Sequence, residues 1–398
     1  SQASYYLASL ADKIYLNPAG ELNWMGLGGE TQYVKHMLAK VGIRAVPVKV
    51  GKYKSAVEYY TEDKMSDANR EQTERYLNGW WNKIVTDVAA SRKISKDLLN
   101  AYADRLITLE DPQQLVKTRM VDGLIYNDQT KGVVAKMLGL DKDDDINQVA
   151  VDDLQEEPVD GLRSQIAVYT AVGEIVDNAS PQSLFQGNSQ IVGDDFCKDM
   201  CDLADDENVK AVVLRINSGG GSAYASEQMW HQIMELKKKK PVVVSMSGAA
   251  ASGGYYISSA ANYIVADANT ITGSIGIFGI LKDYSKLYTQ LLGMKFDEVK
   301  TNRNSVMDAQ GHFLTDEQFN MVQRSVERGY WLFKKRVAEG RRMTMDQVEA
   351  IAQGHVYLGS DALRIRLVDA LGNLDTAVKK AAQLAKLDDY GVARHPEE

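Results

Sequence analysis

Tyr5-Tyr6-Leu7-Ala8-Ser9-Leu10-Ala11-Asp12-Lys13-Ile14 recurs in altered form as Tyr255-Tyr256-Ile257-Ser258-Ser259-Ala260-Ala261-Asn262-Tyr263-Ile264, at an offset of 250. At the same offset Met25-Gly26-Leu27-Gly28-Gly29 falls on Ile275-Gly276-Ile277-Phe278-Gly279, and Arg119-Met120-Val121-Asp122-Gly123-Leu124 falls on Arg366-Leu367-Val368-Asp369-Ala370-Leu371 at an offset of 247. Solenoids and propellers repeat over far shorter periods, so this is duplication of a whole domain. The expected layout is an N-terminal repeat over 1–150, a linker over 151–163 and a C-terminal repeat over 164–398.

The two copies differ where chemistry is at stake. The second carries Ala250-Ala251-Ser252-Gly253-Gly254, and the first has Gln2 at the position of Ser252; a glutamine is no nucleophile. In the other direction, aligning Val41-Gly42-Ile43-Arg44 with Leu292-Gly293-Met294-Lys295 carries Gly51-Lys52-Tyr53-Lys54 onto Asn302-Arg303-Asn304-Ser305, which has no lysine. One half offers a serine between small residues and the other a lysine, the pair that a Ser-Lys hydrolase requires.

Composition excludes other classes. The 398 residues are 44% hydrophobic and 25% charged, an ordinary globular balance with room for two cores. A net charge of −8 argues against nucleic acid as a partner. Cys197 and Cys201 make neither a disulfide framework nor a zinc site, since no companion ligand stands at the right spacing, and no metal or cofactor is expected. No stretch approaches the roughly 20 apolar residues of a membrane helix. Ser252 follows the opening strand of its copy by 87 residues while its counterpart is already residue 2, so the front of the first repeat is expected to be missing, together with any anchor that preceded it.

The second copy alternates short apolar runs with helical ones. A strand is predicted over Gln165–Val172, a helix over Asp194–Asn208, a strand over Val209–Ile216, a helix from about Ala223 to Lys240 and a strand over Pro241–Met246. This order indicates α/β architecture with mostly parallel sheets and right-handed crossovers. Lys237 to Lys240 suit the negative end of a helix dipole and need no polyanion. Asp141-Lys142-Asp143-Asp144-Asp145 and Glu156-Glu157-Pro158 read as solvated linker.

Three segments of the second copy gather polar groups. Asn217-Ser218-Gly219-Gly220-Gly221-Ser222 joins a strand to a helix, where backbone N–H groups can face a negative oxygen; it lacks the phosphate-binding lysine and glycine patterns. Ser252 lies between Ala251 and Gly253, and the N–H groups of Gly253 and Gly220 are candidates for an oxyanion hole. Thr272-Gly273-Ser274-Ile275-Gly276 adds a further hydroxyl. None of His36, His231, His312, His355 and His395 lies in these segments, so lysine must serve as base, with desolvation lowering its ordinary pKa of about 10.4. The run Val46 to Val50 suggests a strand leading Lys54 into the domain interface; Lys52, on the same strand face, is the rival candidate.

With these residues in view, the chain resembles the signal peptide peptidase A (protease IV) family of the long, two-repeat bacterial type. Its carriers are the loop Asn217 to Ser222, Ala251-Ser252-Gly253-Gly254-Tyr255-Tyr256, Thr272-Gly273-Ser274-Ile275-Gly276 and Tyr53-Lys54-Ser55-Ala56. The resemblance implies tandem ClpP/crotonase-like domains, with Ser252 as nucleophile, Lys54 rather than Lys52 as general base, and Ser274 orienting the lysine. It also implies a tetramer tethered to the bacterial inner membrane by a segment outside this chain, with its catalytic part on the periplasmic side, degrading released signal peptides. Gly219-Gly220-Gly221 stands where that family usually has Pro-Gly-Gly, a change that loosens the loop carrying the Gly220 donor. Two other functions suit the fold: a crotonase-like acyl-CoA enzyme, which has no use for the serine and lysine, and an inactive peptide-binding scaffold, against which the retained side chains count.

Overall fold

The computed structural model describes residues 1–141, 144–150, 164–179 and 189–396. The linker 151–163, with Glu156-Glu157-Pro158, lies outside the described residues, as do Lys142 and Asp143. The chain divides into two compact units, Ser1–Gly29 with Leu77–Val159, and Glu30–Tyr76 with Asp160–Glu398. The segment carrying Lys52 and Lys54 therefore belongs to the same unit as the second copy.

In the first unit β1 (Tyr15–Leu16) pairs in parallel with β3 (Gly123–Leu124). Its core gathers Trp24, Leu99, Ile107 and Met120, all fully buried. Trp24 tolerates burial because its Nε1–H donates to the Leu99 carbonyl at 2.8 Å, so its one polar atom is satisfied.

The second unit is built on an eight-stranded sheet. Its strands are β4 (Gln165–Val172), β7 (Val209–Ser218), β8 (Val242–Ala251), β9 (Tyr263–Ala266), β10 (Ile271–Gly273), β12 (Val356–Leu358), β13 (Ala370–Leu371) and β14 (Gly391–His395). The order is β12-β10-β8-β7-β4-β14, with β9 on the first half of β8 and β13 on β9. Every pairing is parallel except β10 with β12. Parallel sheets bury both faces, which explains the near-continuous apolar runs. Val212, Leu214 and Ile216 of β7 pack on one face with the helix Ala223–Lys239, while Ala211 and Val213 meet Ala377 and Ala381 of the helix Leu374–Ala385 on the other. The expected strand Gln165–Val172 is observed at those bounds, and the expected helices appear as Gly193–Asp205 and Ala223–Lys239. Strand β8 continues five residues past Met246, because Ala249 to Ala251 pair with Ile271 to Gly273 of β10.

Two separate pairs complete the unit: β5 (Glu174–Val176) lies parallel to β6 (Gln190–Val192), and a second pair is antiparallel. Here β2 (Arg44–Lys49), from the first sequence copy, lies against β11 (Phe278–Asp283), from the second, with Lys49 opposite Phe278 and Arg44 opposite Asp283. Strand β2 ends at Lys49, and Gly51, at φ +100°, turns the chain, so Lys52 and Lys54 lie beyond the strand rather than on its face.

The duplication is visible as repeated wiring. Tyr5 Oη donates to the Met120 carbonyl at 2.8 Å, and Tyr255 Oη donates to the Leu367 carbonyl at 2.8 Å. Asp122 accepts from the Ile14 N–H and from Arg92; Asp369 accepts from the Ile264 N–H and from Arg341. The helices Asp67–Arg92 and Asp316–Arg341 each have 26 residues. These features fit the expected fold class, tandem ClpP/crotonase-like domains.

The two arginine side chains are each 8% exposed, so removing either takes the nearest cation from a half-buried carboxylate that also holds a strand start, with Lys13 at 3.6 Å as a further partner of Asp122. Arg341→Ala and Arg92→Ala are each expected to cost about 2 to 4 kcal/mol, read from the urea midpoint of the corresponding unit. A loss below about 0.5 kcal/mol, the size of a surface pair, would show that the pair does not hold the fold.

Candidate active site

The polar segments singled out in the sequence converge because three adjacent strands end together. In the sheet register Ser218 of β7 stands by Ala250 of β8, and Ala251 of β8 stands by Gly273 of β10. Ser252 and Ser274 are therefore the first residues beyond paired positions on neighbouring parallel strands, at the carboxyl edge where open α/β sheets place their sites. The Ser252 N–H donates to the Gly273 carbonyl at 3.0 Å, which locks the two strand ends together. Both serines have left-handed backbones, φ +53° at Ser252 and +52° at Ser274. Such conformations strain residues that carry a Cβ and occur where a side chain must be presented from a sharp turn.

The lysine arrives by the other strand pair. Phe278 begins β11 four residues after Ser274, and the Val50 N–H donates to the Ile277 carbonyl at 3.1 Å, so the chain leaving β2 returns to Ser274. Lys54 Nζ lies 3.0 Å from Ser252 Oγ, 2.9 Å from Ser274 Oγ and 3.0 Å from the Ser274 carbonyl oxygen. The Lys54 residue is 5% exposed, with Nζ 5.8 Å from the centre of the Phe278 ring. Burial pushes its ammonium down from 10.5 to about 8. A neutral amine has two N–H bonds and one lone pair; the two oxygens of Ser274 take the N–H bonds, which leaves the lone pair to accept the Ser252 hydroxyl proton. Lys52, by contrast, is exposed and sits over the Tyr53 ring at 4.8 Å.

Gly253 follows Ser252 as the first residue of the helix Gly253–Ser258. Gly220, at φ +99°, approaches so closely that a Cβ there would stand 2.4 Å from the Gly253 nitrogen and 2.9 Å from Ser252 Cβ. Its own N–H donates to Ser218 Oγ at 3.1 Å, a bond that must be shared or released if it is to hold an oxyanion. Among the described residues no group of three or more His, Cys, Asp or Glu is arranged to hold a metal ion. His36 and His312 pair with Asp63 and Glu298 at the surface.

Sequence reasoning missed the residues behind Lys54. Gln72, 3% exposed, donates from Nε2 to the Tyr53 carbonyl at 3.1 Å and to Ser55 Oγ at 3.2 Å, and accepts the Val356 N–H on Oε1 at 3.3 Å. The His355 carbonyl accepts the Ser274 N–H at 2.7 Å, while its ring stacks on Tyr357 at 4.2 Å and meets Tyr53 edge-on at 4.1 Å. Gly354 packs on the lysine as well, with the position a Cβ would take 2.8 Å from Lys54 N. A buried glutamine and a glycine after a helix carry no motif, so neither could be found before the fold.

The chain is similar to known peptidases over most of its length. The profile of Peptidase family S49 matches residues 1–141 and 234–388, and that of Clp protease matches residues 169–275, the run from β4 to the Ser274 segment. Protease 4 of Haemophilus influenzae is 38% identical over 396 residues, covering 96% of this chain and 63% of the relative. Serine protease SPPA, chloroplastic, of Arabidopsis thaliana is 30% identical over 390 residues, covering 96% and 57%. A putative signal peptide peptidase SppA of Enterococcus faecium is 28% identical over 250 residues, covering 63% and 71%. The chain spans less than two thirds of the length of the first two relatives.

The depressed lysine pKa is measurable directly. An NMR titration of the Lys54 ε-methylene is expected to give a midpoint near 8; a value at about 10, the ordinary lysine range, would refute the buried setting. The sign for stability follows from proton binding. Between about 8 and 10.5 the unfolded chain holds the lysine proton and the folded chain has lost it, so this group's contribution makes stability rise with pH across that window. Lys54→Met should abolish that part of the rise.

Proposed function

The chain belongs to peptidase family S49, and from that premise we propose that it is a serine endopeptidase working through Ser252 and Lys54. The observation that carries the reading is the 3.0 Å separation of Lys54 Nζ from Ser252 Oγ, within hydrogen-bonding reach for proton transfer. Neutral Lys54 takes the Ser252 proton as Oγ bonds to the scissile carbonyl carbon. The resulting oxyanion accepts from the Gly253 N–H, and from the Gly220 N–H once its bond to Ser218 is shared. Lys54 then returns the proton to the leaving amine, the C–N bond breaks, and an acyl ester on Ser252 remains. Water, deprotonated by the same lysine, adds to the ester carbonyl, and as the ester C–O bond breaks Lys54 returns that proton to Ser252 Oγ, releasing the acid and restoring the serine. Ser274 orients the amine throughout, by accepting its two N–H bonds.

The substrates are unfolded apolar peptides, with released signal peptides as the main class; the name of the Enterococcus faecium relative supports that assignment. Such segments bind extended, adding backbone hydrogen bonds to a strand edge while alternate side chains enter pockets. The enzyme acts as a homo-oligomer, a tetramer by family resemblance, associated with the periplasmic side of a membrane, and each Ser-Lys pair lies within one chain.

Ser252→Ala and Lys54→Ala are each expected to lower peptide hydrolysis at least about 1,000-fold with folding intact, and Lys54→Arg should fail as well, because a guanidinium does not deprotonate. Lys52→Ala should keep most activity. A fluorophosphonate probe should label wild-type protein at Ser252; absence of labelling would favour an acyl-CoA enzyme or a binding scaffold instead. Mixed assemblies of Ser252→Ala and Lys54→Ala chains should stay inactive after verified subunit exchange, and recovery would mean that the pair forms between chains.

A further inference from the structure

The turn Gln353-Gly354-His355 follows the helix Met345–Ile351 and leads into β12, carrying none of the groups in the proposed chemistry. It nevertheless touches both ends of the lysine's environment. On one side the Gln353 carbonyl accepts the Tyr53 N–H at 3.0 Å, next to Lys54 in the chain. On the other, the Gly354 N–H donates to the Ile275 carbonyl at 2.8 Å and the His355 carbonyl accepts the Ser274 N–H at 2.7 Å. Gly354 itself lies flat against the lysine's backbone: a Cβ there would stand 2.8 Å from Lys54 N, 2.9 Å from Lys54 Cβ and 3.0 Å from Lys54 Cα, and its φ is +77°. Gln72 closes the bracket from outside, linking the Tyr53 carbonyl and Ser55 Oγ to the Val356 N–H.

The duplicated copy indicates why a glycine stands here. Arg366 and Arg119 correspond at an offset of 247 and share φ +62°; at that offset Gln353 corresponds to Leu106, and both have φ +55°. The turn is thus common to both copies. The next position is Gly354 in the second copy but Ile107 in the first, where the isoleucine is fully buried in the core and starts a 3₁₀ turn. Ile107 keeps a negative φ in its 3₁₀ turn, whereas Gly354 stands at +77°, so the two backbones part at this position, and the glycine is found in the copy where the lysine packs on it.

Resting on the Ser-Lys reading, we propose that Gly354 and Gln72 are positioning residues that set the distance of Lys54 from Ser252 and Ser274 without touching substrate. Any side chain at 354 drives the Lys54 backbone away from the two serines. Loss of the Gln72 amide frees the same segment on its outer side. Displacement of a reacting group by even a fraction of an ångström slows the chemical step without weakening substrate binding. No charged group contributes to the low lysine pKa, whose cause is burial alone, so a shifted Lys54 that admits water titrates higher.

The test compares Gly354→Ala and Gln72→Met with wild type on an unfolded peptide, with active sites counted by fluorophosphonate titration. Per active site, kcat should fall about 10- to 100-fold with KM within about twofold, and the alkaline rise in kcat should move above the wild-type midpoint near 8. A role confined to stability would lower the count of active sites and leave that midpoint in place. Wild-type kcat per site and an unmoved midpoint in both variants would overturn the proposal. If Gly354→Ala does not fold, Gln72→Met decides it by the same readings. Ser252→Ala and Lys54→Ala, measured alongside, separate the two ideas: activity in those would sink the Ser-Lys reading, whereas their inactivity beside unaffected positioning variants would sink only this inference.

Discussion

The pairing of β2 with β11 is the contact on which the site depends. Six residues of the first sequence copy lie antiparallel to six of the second, with Lys49 set against Phe278. Register in a strand pair is all or none, since a slip by one residue turns every side chain to the opposite face. That register fixes where the chain emerges beyond Lys49, and Gly51 at φ +100° bends it back toward Ser274. A lysine encoded in one copy is thereby delivered to a serine encoded in the other. The complementary residue choices in the sequence are in keeping with this delivery: Gln2 in the first copy stands at the position of Ser252, and Ser305 in the second at that of Lys54.

The same delivery accounts for the chemistry of the lysine. An ammonium costs free energy to bury unless it is paired with an anion, and here the neighbours of Nζ are two hydroxyls, a carbonyl and an aromatic ring. With no carboxylate to hold the proton, desolvation acts unopposed and the neutral amine becomes accessible near physiological pH. The hydroxyl and carbonyl of Ser274 then orient the amine. The backbone strain at Ser252 and Ser274 belongs to the same design, because each serine must turn out of a strand end toward a common point.

Much of the fold was legible in advance. The strand Gln165–Val172 and the helix from Ala223 were readable because burial on both faces demands unbroken apolar runs, and because a helix buries one stripe. The end of β8 was not. Ser247 to Ala251 is too small and polar to announce a strand, and β8 extends there only because β10 supplies hydrogen-bond partners for Ala249 to Ala251. Lys54 was singled out as a candidate, but it does not lie on a strand face, since Gly51 ends the alternation that such a reading relies on. Gln72 and Gly354 had no legible signal: each acts through backbone groups that are distant in sequence.

By itself the sequence determined the duplication, the α/β class, Ser252 as candidate nucleophile and the pair Lys52 and Lys54 as rival bases, because these rest on residue types and their spacing, which are local properties compared between two copies; the choice of Lys54 and the role of Ser274 came from the family resemblance. Only the tertiary structure decided that Glu30–Tyr76 joins the unit of the second copy, that Lys54 and not Lys52 is buried at 3.0 Å from Ser252, and that a glutamine and a glycine stand behind it. Distances between groups some 200 residues apart depend on strand register and on how closely backbones approach, and neither is written in any one stretch of chain.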